Sequence, residues 1–211
     1  MIKSIIFDFD GVICDSVDIK TLAFQKIYSK YGRAIQKEAV KYHKANMGVS
    51  RYDKFKFIHK KFIGIDLKST ELQNLSDLFS EIVFSEIIKC NYIPGILNFL
   101  EKYYNKIQFF ISSATPELEL LQIVKARKIN KYFEKIYGSP ASKTDHIKKI
   151  LSLYQFKNRD IIYIGDSKSD KIAAERSDIR FVGIISKYEK FQSTQHKYNN
   201  FIKIEKNFKC L

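Results

Sequence analysis

The stretch Ile5-Ile6-Phe7-Asp8-Phe9-Asp10-Gly11-Val12 sets the strongest limit on what this chain can become. A short run of Ile and Phe stopped by glycine reads as a strand buried in the middle of a sheet, yet it ends in two aspartates one residue apart. If the strand continued, Asp8 and Asp10 would share a face. Carboxylates that close repel, so a cation must lie between them or one of them must keep a proton.

Two further patterns place that strand in a fold. From about Ser16 to Cys90 the apolar residues recur at helical spacing: Leu22, Phe24, Ile27, Tyr28 and Tyr31, then Tyr52, Phe55, Ile58 and Phe62, then Leu72, Leu75, Leu78, Phe79, Ile82 and Val83. Gly32, Gly48 and Gly64 punctuate this block. After Pro94-Gly95 strands and helices alternate. Strands are expected at 107–112, 135–137, 161–165 and 180–185, with a last short one near 201–204, and a helix is expected to begin at Pro116. Alternation of this kind predicts an α/β domain, a doubly wound parallel sheet, with the helical block inserted after its first strand. The core then comprises 1–15 and 91–211, and the insertion 16–90.

In open parallel sheets ligands sit beyond the carboxyl ends of the strands, near the reversal of strand order. The first strand delivers Asp8 and Asp10 there, the strand at 107–112 delivers Ser112, and the strand at 161–165 delivers Asp166. Lys143, at a helix start, adds a fixed positive charge. Three carboxylates, a hydroxyl and a lysine at one edge suit Mg²⁺ and a phosphate, because magnesium prefers oxygen ligands and is commonly held by one or two carboxylates plus a substrate phosphate. Asp10, aimed at a leaving oxygen, is placed to give a proton and later take one from water. Ser112 also has a reading as the N-cap of the helix that follows, with Ser113 beside it as the working hydroxyl.

The segments DFDGVICDS, FFISSATP, GSPASK and IGDSKSD, in this order, resemble the four motifs of the haloacid dehalogenase-like hydrolases, over essentially the whole chain. Within that superfamily the chain resembles phosphatase-type members with a helical type 1 cap, the phosphoglycolate phosphatase- and β-phosphoglucomutase-like proteins. The resemblance implies a Rossmann-like core, with the block at 16–90 as the cap. It implies Asp8 as the nucleophile that forms an aspartyl-phosphate. Asp10 becomes the general acid and base, with its backbone carbonyl offered to the metal, and Ser112 and Lys143 hold the phosphoryl oxygens. Asp166 completes the Mg²⁺ site, and Asp170 is a further or alternative ligand. Gly11 permits a tight turn above the site. In the cap, Gly48-Val49-Ser50-Arg51 resembles a substrate-specificity segment. Arg51 is placed for bidentate contact with a substrate anion, and Lys20 is placed to face Asp10.

Asp10 favours phosphoryl transfer, because members that cleave carbon–halogen bonds generally lack this second aspartate. The function expected is a Mg²⁺-dependent phosphatase of a small phosphorylated metabolite, of the sugar phosphate or phosphoglycolate class. Two alternatives stand beside it: a phosphomutase of the β-phosphoglucomutase type, and a decayed binding module that uses its basic cap.

Charge bears on the second alternative. The 211 residues carry a formal net charge of +14, and twelve Lys or Arg fall between Lys20 and Lys61 against Glu38 and Asp53. Charge runs of this kind usually cover solvated helix faces, so no nucleic-acid partner is expected. No run approaches the roughly 20 apolar residues of a membrane helix, and no membrane partner is expected. Cys14, Cys90 and Cys210 show no Cys-x-x-Cys spacing, which fits a reducing, cytoplasmic setting. His43, His59, His146 and His196 lack metal-ligand spacing and are expected to be packing or surface residues. A monomer or homodimer is expected.

Overall fold

The structure is a computed structural model that describes residues 2–208; Cys210 lies outside them. Six parallel strands form one sheet in the order β3-β2-β1-β4-β5-β6. They are β1 Ser4–Phe7, β2 Gln108–Pro116, β3 Lys135–Ser139, β4 Ile161–Gly165, β5 Arg180–Ile184 and β6 Lys197–Tyr198. The first strand is therefore central, with β2 on one side and β4 on the other. Chain order reverses at β1, so the carboxyl end of this strand is the topological switch point.

Both faces of the sheet are covered. Ile5, Phe7, Phe109, Ile111, Ile162 and Ile164 point into one hydrophobic cluster, and the alternate residues Ile6, Phe110, Ile161 and Tyr163 into another. This period of two, with every position buried, is what parallel strands between helical layers require. Phe7 is fully buried and meets the rings of Phe99, Phe109, Phe133 and Phe201 at centroid distances from 5.2 to 6.4 Å. The core helices are α5 Ile96–Tyr103, α6 Glu117–Ala126, α7 Lys143–Tyr154, α8 Lys168–Arg176 and α9 Phe201–Lys206.

Between β1 and α5 lies the all-helical cap, made of α1 Val17–Tyr28, α2 Arg33–Ala45, α3 Arg51–Ile58 and α4 Ser69–Lys89. Its interior is aromatic: Phe24 packs on Phe55 and Phe79 at 5.3 and 5.2 Å. Leu22, counted with the apolar stripe of α1, is instead 62% exposed.

One expected element is wrong. Residues 201–204 form the start of a helix, not a strand, and the last strand is the short pair Lys197–Tyr198. Asn200 caps the helix by accepting from the Lys203 amide, and Phe201 and Ile204 are buried while Ile202 is exposed. Spacing of i and i+3 is helical, and four residues were too few to separate it from a strand period. Phe201→Ala is expected to cost about 3 kcal/mol in denaturant unfolding. Ile202→Ala is expected to stay within about 0.5 kcal/mol; equal losses would contradict the helical placement.

Candidate active site

Two capping boxes build the positive and negative poles of the site. At the start of α7, Ser142 accepts from the Asp145 amide at 3.1 Å, which fixes the first helical turn and the stem of Lys143. At the start of α8, the Ser167 amide and hydroxyl donate to Asp170 Oδ2 at 3.0 and 2.6 Å. The other oxygen of Asp170 accepts from Lys143 Nζ at 2.6 Å. Both oxygens of Asp170 are thus engaged, and its carboxylate steers the lysine. Lys143 Nζ in turn lies 2.9 Å from Asp8 Oδ2.

Asp8, Asp166 and Asp170 are all buried, with one carboxylate oxygen of each within 4.8 Å of the others. Burial pushes the Asp8 carboxyl up to about 7, with Asp170 adding repulsion and Lys143 opposing it. Asp166 is raised well above the usual carboxylate range by burial, then by Asp8 and Asp170. Burial works against the charge of Lys143, but Asp170 and Asp8 outweigh it and keep the ammonium protonated. One lysine against three carboxylates leaves a negative excess of two, the charge of one divalent cation, and an all-oxygen donor set suits a hard one.

Gly11 makes this approach possible. Its φ is +77°, and a Cβ there would lie 2.1 Å from Asp166 Oδ2. Gly11→Ala would therefore strain the turn and displace Asp166.

Asp10 sits in a different electrostatic setting. It accepts from Ser16 Oγ at 2.6 Å, Lys20 Nζ at 2.5 Å and Thr115 Oγ1 at 3.1 Å. Burial would raise its pKa, but the Lys20 charge and these three hydrogen bonds prevail and hold it below the ordinary value. The two aspartates of the opening motif are therefore pushed apart in acidity by their surroundings.

Asp8, Asp10, Lys20, Arg51, Ser113, Lys143 and Asp166 line one chamber of about 50 Å³ between cap and core. Ser112 does not. Its hydroxyl is fully buried and bonds His146 Nδ1 at 2.9 Å, on the opposite face of β2. His146 Nε2 lies 3.2 Å from the Gly138 carbonyl, so Nε2 carries the proton and Nδ1 accepts from Ser112. Burial drives this imidazole down to about 4, and it stays neutral. Ser112 is a strut between β2 and α7, and the hydroxyl at the chamber is that of Ser113. Alternation along β2 carries the signal, since Ile111 and Ser113 share the cap side while Phe110 and Ser112 share the other.

Arg51 reaches the chamber wall, but its terminal nitrogens are committed. They donate to Glu119 Oε1 at 2.7 Å, Ser80 Oγ at 2.7 Å and the Ser76 carbonyl at 3.3 Å. Glu119 belongs to α6 of the core, so this buried pair joins cap to core. Gly48 adds a second junction: a Cβ there would lie 2.2 Å from Ser169 Oγ and 2.4 Å from Ser167 Oγ. Glu119, Thr115, His43 and Lys54 all take part in the site or its wall; the sequence places none of them there, and His43 is expected from it as a packing or surface residue. Cys14 and Cys90 are free thiols, and Cys14 is buried.

The sequence profile of the family described as haloacid dehalogenase-like hydrolase matches residues 5–184. The chain belongs to that family. A phosphorylated carbohydrates phosphatase of Thermotoga maritima is 26% identical over 193 residues, 87% of this chain and 85% of its own. Phosphoglycolate phosphatase 1 of Pseudomonas aeruginosa is 23% identical, across 88% of this chain and 70% of its own. The crystal structure of β-phosphoglucomutase from Clostridium difficile superposes with a TM-score of 0.79 at 21% identity, covering 99% of this chain and 98% of that one. The chain is accordingly an enzyme of the family's phosphatase type. Among the described residues no helix is long and apolar enough to cross a membrane.

The two serines separate in a direct test. Ser112→Ala is expected to cost about 1 to 2 kcal/mol of stability through the orphaned His146 nitrogen while turnover persists. Ser113→Ala is expected to lower kcat/KM with little change in melting temperature. The reverse pattern would return Ser112 to the site.

Proposed function

We propose that this enzyme hydrolyses a small phosphorylated carbohydrate or phosphorylated hydroxy acid, with Mg²⁺, through an aspartyl-phosphate on Asp8. The observation that carries the reading is the buried carboxylate cluster beside Lys143, two charges short of neutrality, at the switch point of the sheet. Relatives named as phosphatases of phosphorylated carbohydrates and of phosphoglycolate support the substrate class.

Asp8, Asp166 and the Asp10 carbonyl would hold the cation, with Asp170 positioning Lys143. When bound, the cation supplies charge neutralisation at Asp8 and at the transferring phosphoryl group. The Asp8 carboxylate then attacks phosphorus and the ester P–O bond breaks, with Lys143 and Ser113 taking the phosphoryl oxygens. Asp10, a carboxylate held by the hydrogen bond from Lys20, relays a proton from the Lys20 ammonium to the leaving alkoxide, and the second half returns that proton. In the second half it accepts a proton from water as that water attacks the acyl-phosphate, releasing orthophosphate and restoring Asp8. The residues at 16–90 act as the cap that closes over this chemistry.

Phosphate release from a chromogenic aryl phosphate and a set of phosphorylated sugars and hydroxy acids, with Mg²⁺ and with EDTA, tests the reading. Metal-dependent turnover that Asp8→Asn abolishes is expected. Turnover indifferent to EDTA or retained by Asp8→Asn would overturn it, and conversion of a sugar phosphate to its isomer without phosphate release would favour the mutase.

A pH dependence follows. The folded Asp8 pKa, about 7, lies above its ordinary 3.8, so the metal-free fold is favoured below about 4 by this group and loses that contribution as pH rises through 7. Mg²⁺ binds the ionised form and competes with the proton. Added Mg²⁺ is therefore expected to raise Tm more at pH 8 than at pH 5.5. An equal shift at both, or none, would contradict the assignment.

A further inference from the structure

Four Lys or Arg side chains and one histidine line the chamber, and three of them are paired with carboxylates. Lys143 serves Asp8 and Asp170, Lys20 serves Asp10, and Arg51 serves Glu119. Lys54, from α3 of the cap, lines the same chamber and has no carboxylate partner among the described residues. It is only 4% exposed. Among the described residues its polar contact is His43 Nδ1, from α2, at 3.3 Å. A protonated Lys54 needs His43 Nδ1 as acceptor, which puts the imidazole proton on Nε2. That Nε2 is buried and has no hydrogen-bond partner among the described residues, although His43 also lines the chamber.

Burying a cation and an N–H donor without an acceptor costs several kcal/mol unless something completes them. The rest of this wall is apolar, with Phe24 and Phe79 beneath Arg51 and Lys54. Desolvation, then Lys20, drives Lys54 down to about 7 despite the opposing charge of Asp10, with Lys143 and Arg51 adding repulsion. His43 is lowered well below its usual range by burial and by Lys54, Lys20 and Lys44. Both groups would gain from a negative charge beyond that of Asp10, which Lys20 already pairs.

We infer that Lys54 and His43 form a second anion subsite in the cap, which receives a carboxylate or second phosphate at the far end of the phosphate-ester substrate. This rests on the proposed phosphatase reading and narrows it to substrates with two anionic ends. The phosphoryl end meets Asp8 and Lys143 on the core side, and the other end meets the Lys54 ammonium and the His43 Nε2–H. The small volume of the chamber favours a short spacer between them.

The test compares 2-phosphoglycolate with 2-hydroxyethyl phosphate, which share a phosphate ester and differ in the charge of the tail, and adds ethylene glycol bisphosphate. Wild type is expected to prefer a doubly anionic ester by roughly tenfold or more in kcat/KM, and Lys54→Met to erase that preference. His43→Phe, which keeps the ring against Phe24, is expected to reduce it. A folding defect lowers all three substrates together and leaves the ratio unchanged, so the ratio is the readout and Tm is its control. The better of the carboxylate and bisphosphate names the tail. No preference in wild type, or a preference that survives Lys54→Met, overturns the subsite. If wild type turns over none of the esters, the phosphatase reading fails. Calorimetric Kd values of the same three compounds for wild type and Lys54→Met then decide the subsite: a lost affinity difference upholds it, and an unaltered or absent one overturns it.

Discussion

Mutual repulsion among Asp8, Asp166 and Asp170 is the constraint that the rest of the architecture answers. Three carboxylates whose oxygens lie within 4.8 Å, all out of water, cannot coexist ionised without nearby positive charge. The fold brings each from a separate place, the end of β1, the end of β4 and the first turn of α8, and it sets Lys143 from α7 against two of them. The capping boxes at Ser142 and Ser167 are part of the same arrangement, since they fix the helix starts from which Lys143 and Asp170 reach inward. Gly11 leaves the space that Asp166 occupies. A parallel sheet with its chain reversal at β1 is the scaffold that lets these groups converge.

The cap answers a second electrostatic demand. Asp10 is stabilised as a carboxylate by Lys20 from the cap, and Arg51 from the cap is neutralised by Glu119 from the core. Each layer thus supplies the countercharge for a buried or half-buried group of the other. Removing one partner of such a pair leaves an uncompensated buried charge, so these contacts specify how the layers register. The same closure shapes the chamber, with phosphoryl chemistry on the core side and Lys54 with His43 on the cap side.

Much of this was legible in the chain because the signals were long or chemically costly. Two aspartates at the end of a buried strand, a glycine after them, and apolar runs alternating with helical segments leave few alternatives. Ser112 is the residue that a strand ending at 112 delivers to the site, whereas the period of two along β2 puts Ser113 at the chamber and Ser112 toward His146. The segment at 201–204 was too short for its period to declare itself, and only Asn200 as a cap marks the helix. Glu119, His43 and Lys54 carry no local pattern. Their meaning arises from contacts across 68 residues for Arg51 with Glu119 and across the cap interior for His43 with Lys54. Charge counting treated the basic stretch from Lys20 to Lys61 as solvated surface, yet Arg51 and Lys54 within it are buried.

The central claim is that Asp8 carries the phosphoryl group. The measurement that tests it most directly is rapid acid quench of the enzyme during turnover with Mg²⁺, followed by peptide mass analysis for an added phosphoryl group. The account predicts a hydroxylamine-labile phosphoryl adduct on Asp8 that forms and decays at rates compatible with turnover. Turnover with no adduct on any residue, or with the adduct on Asp166 or another side chain, would contradict it.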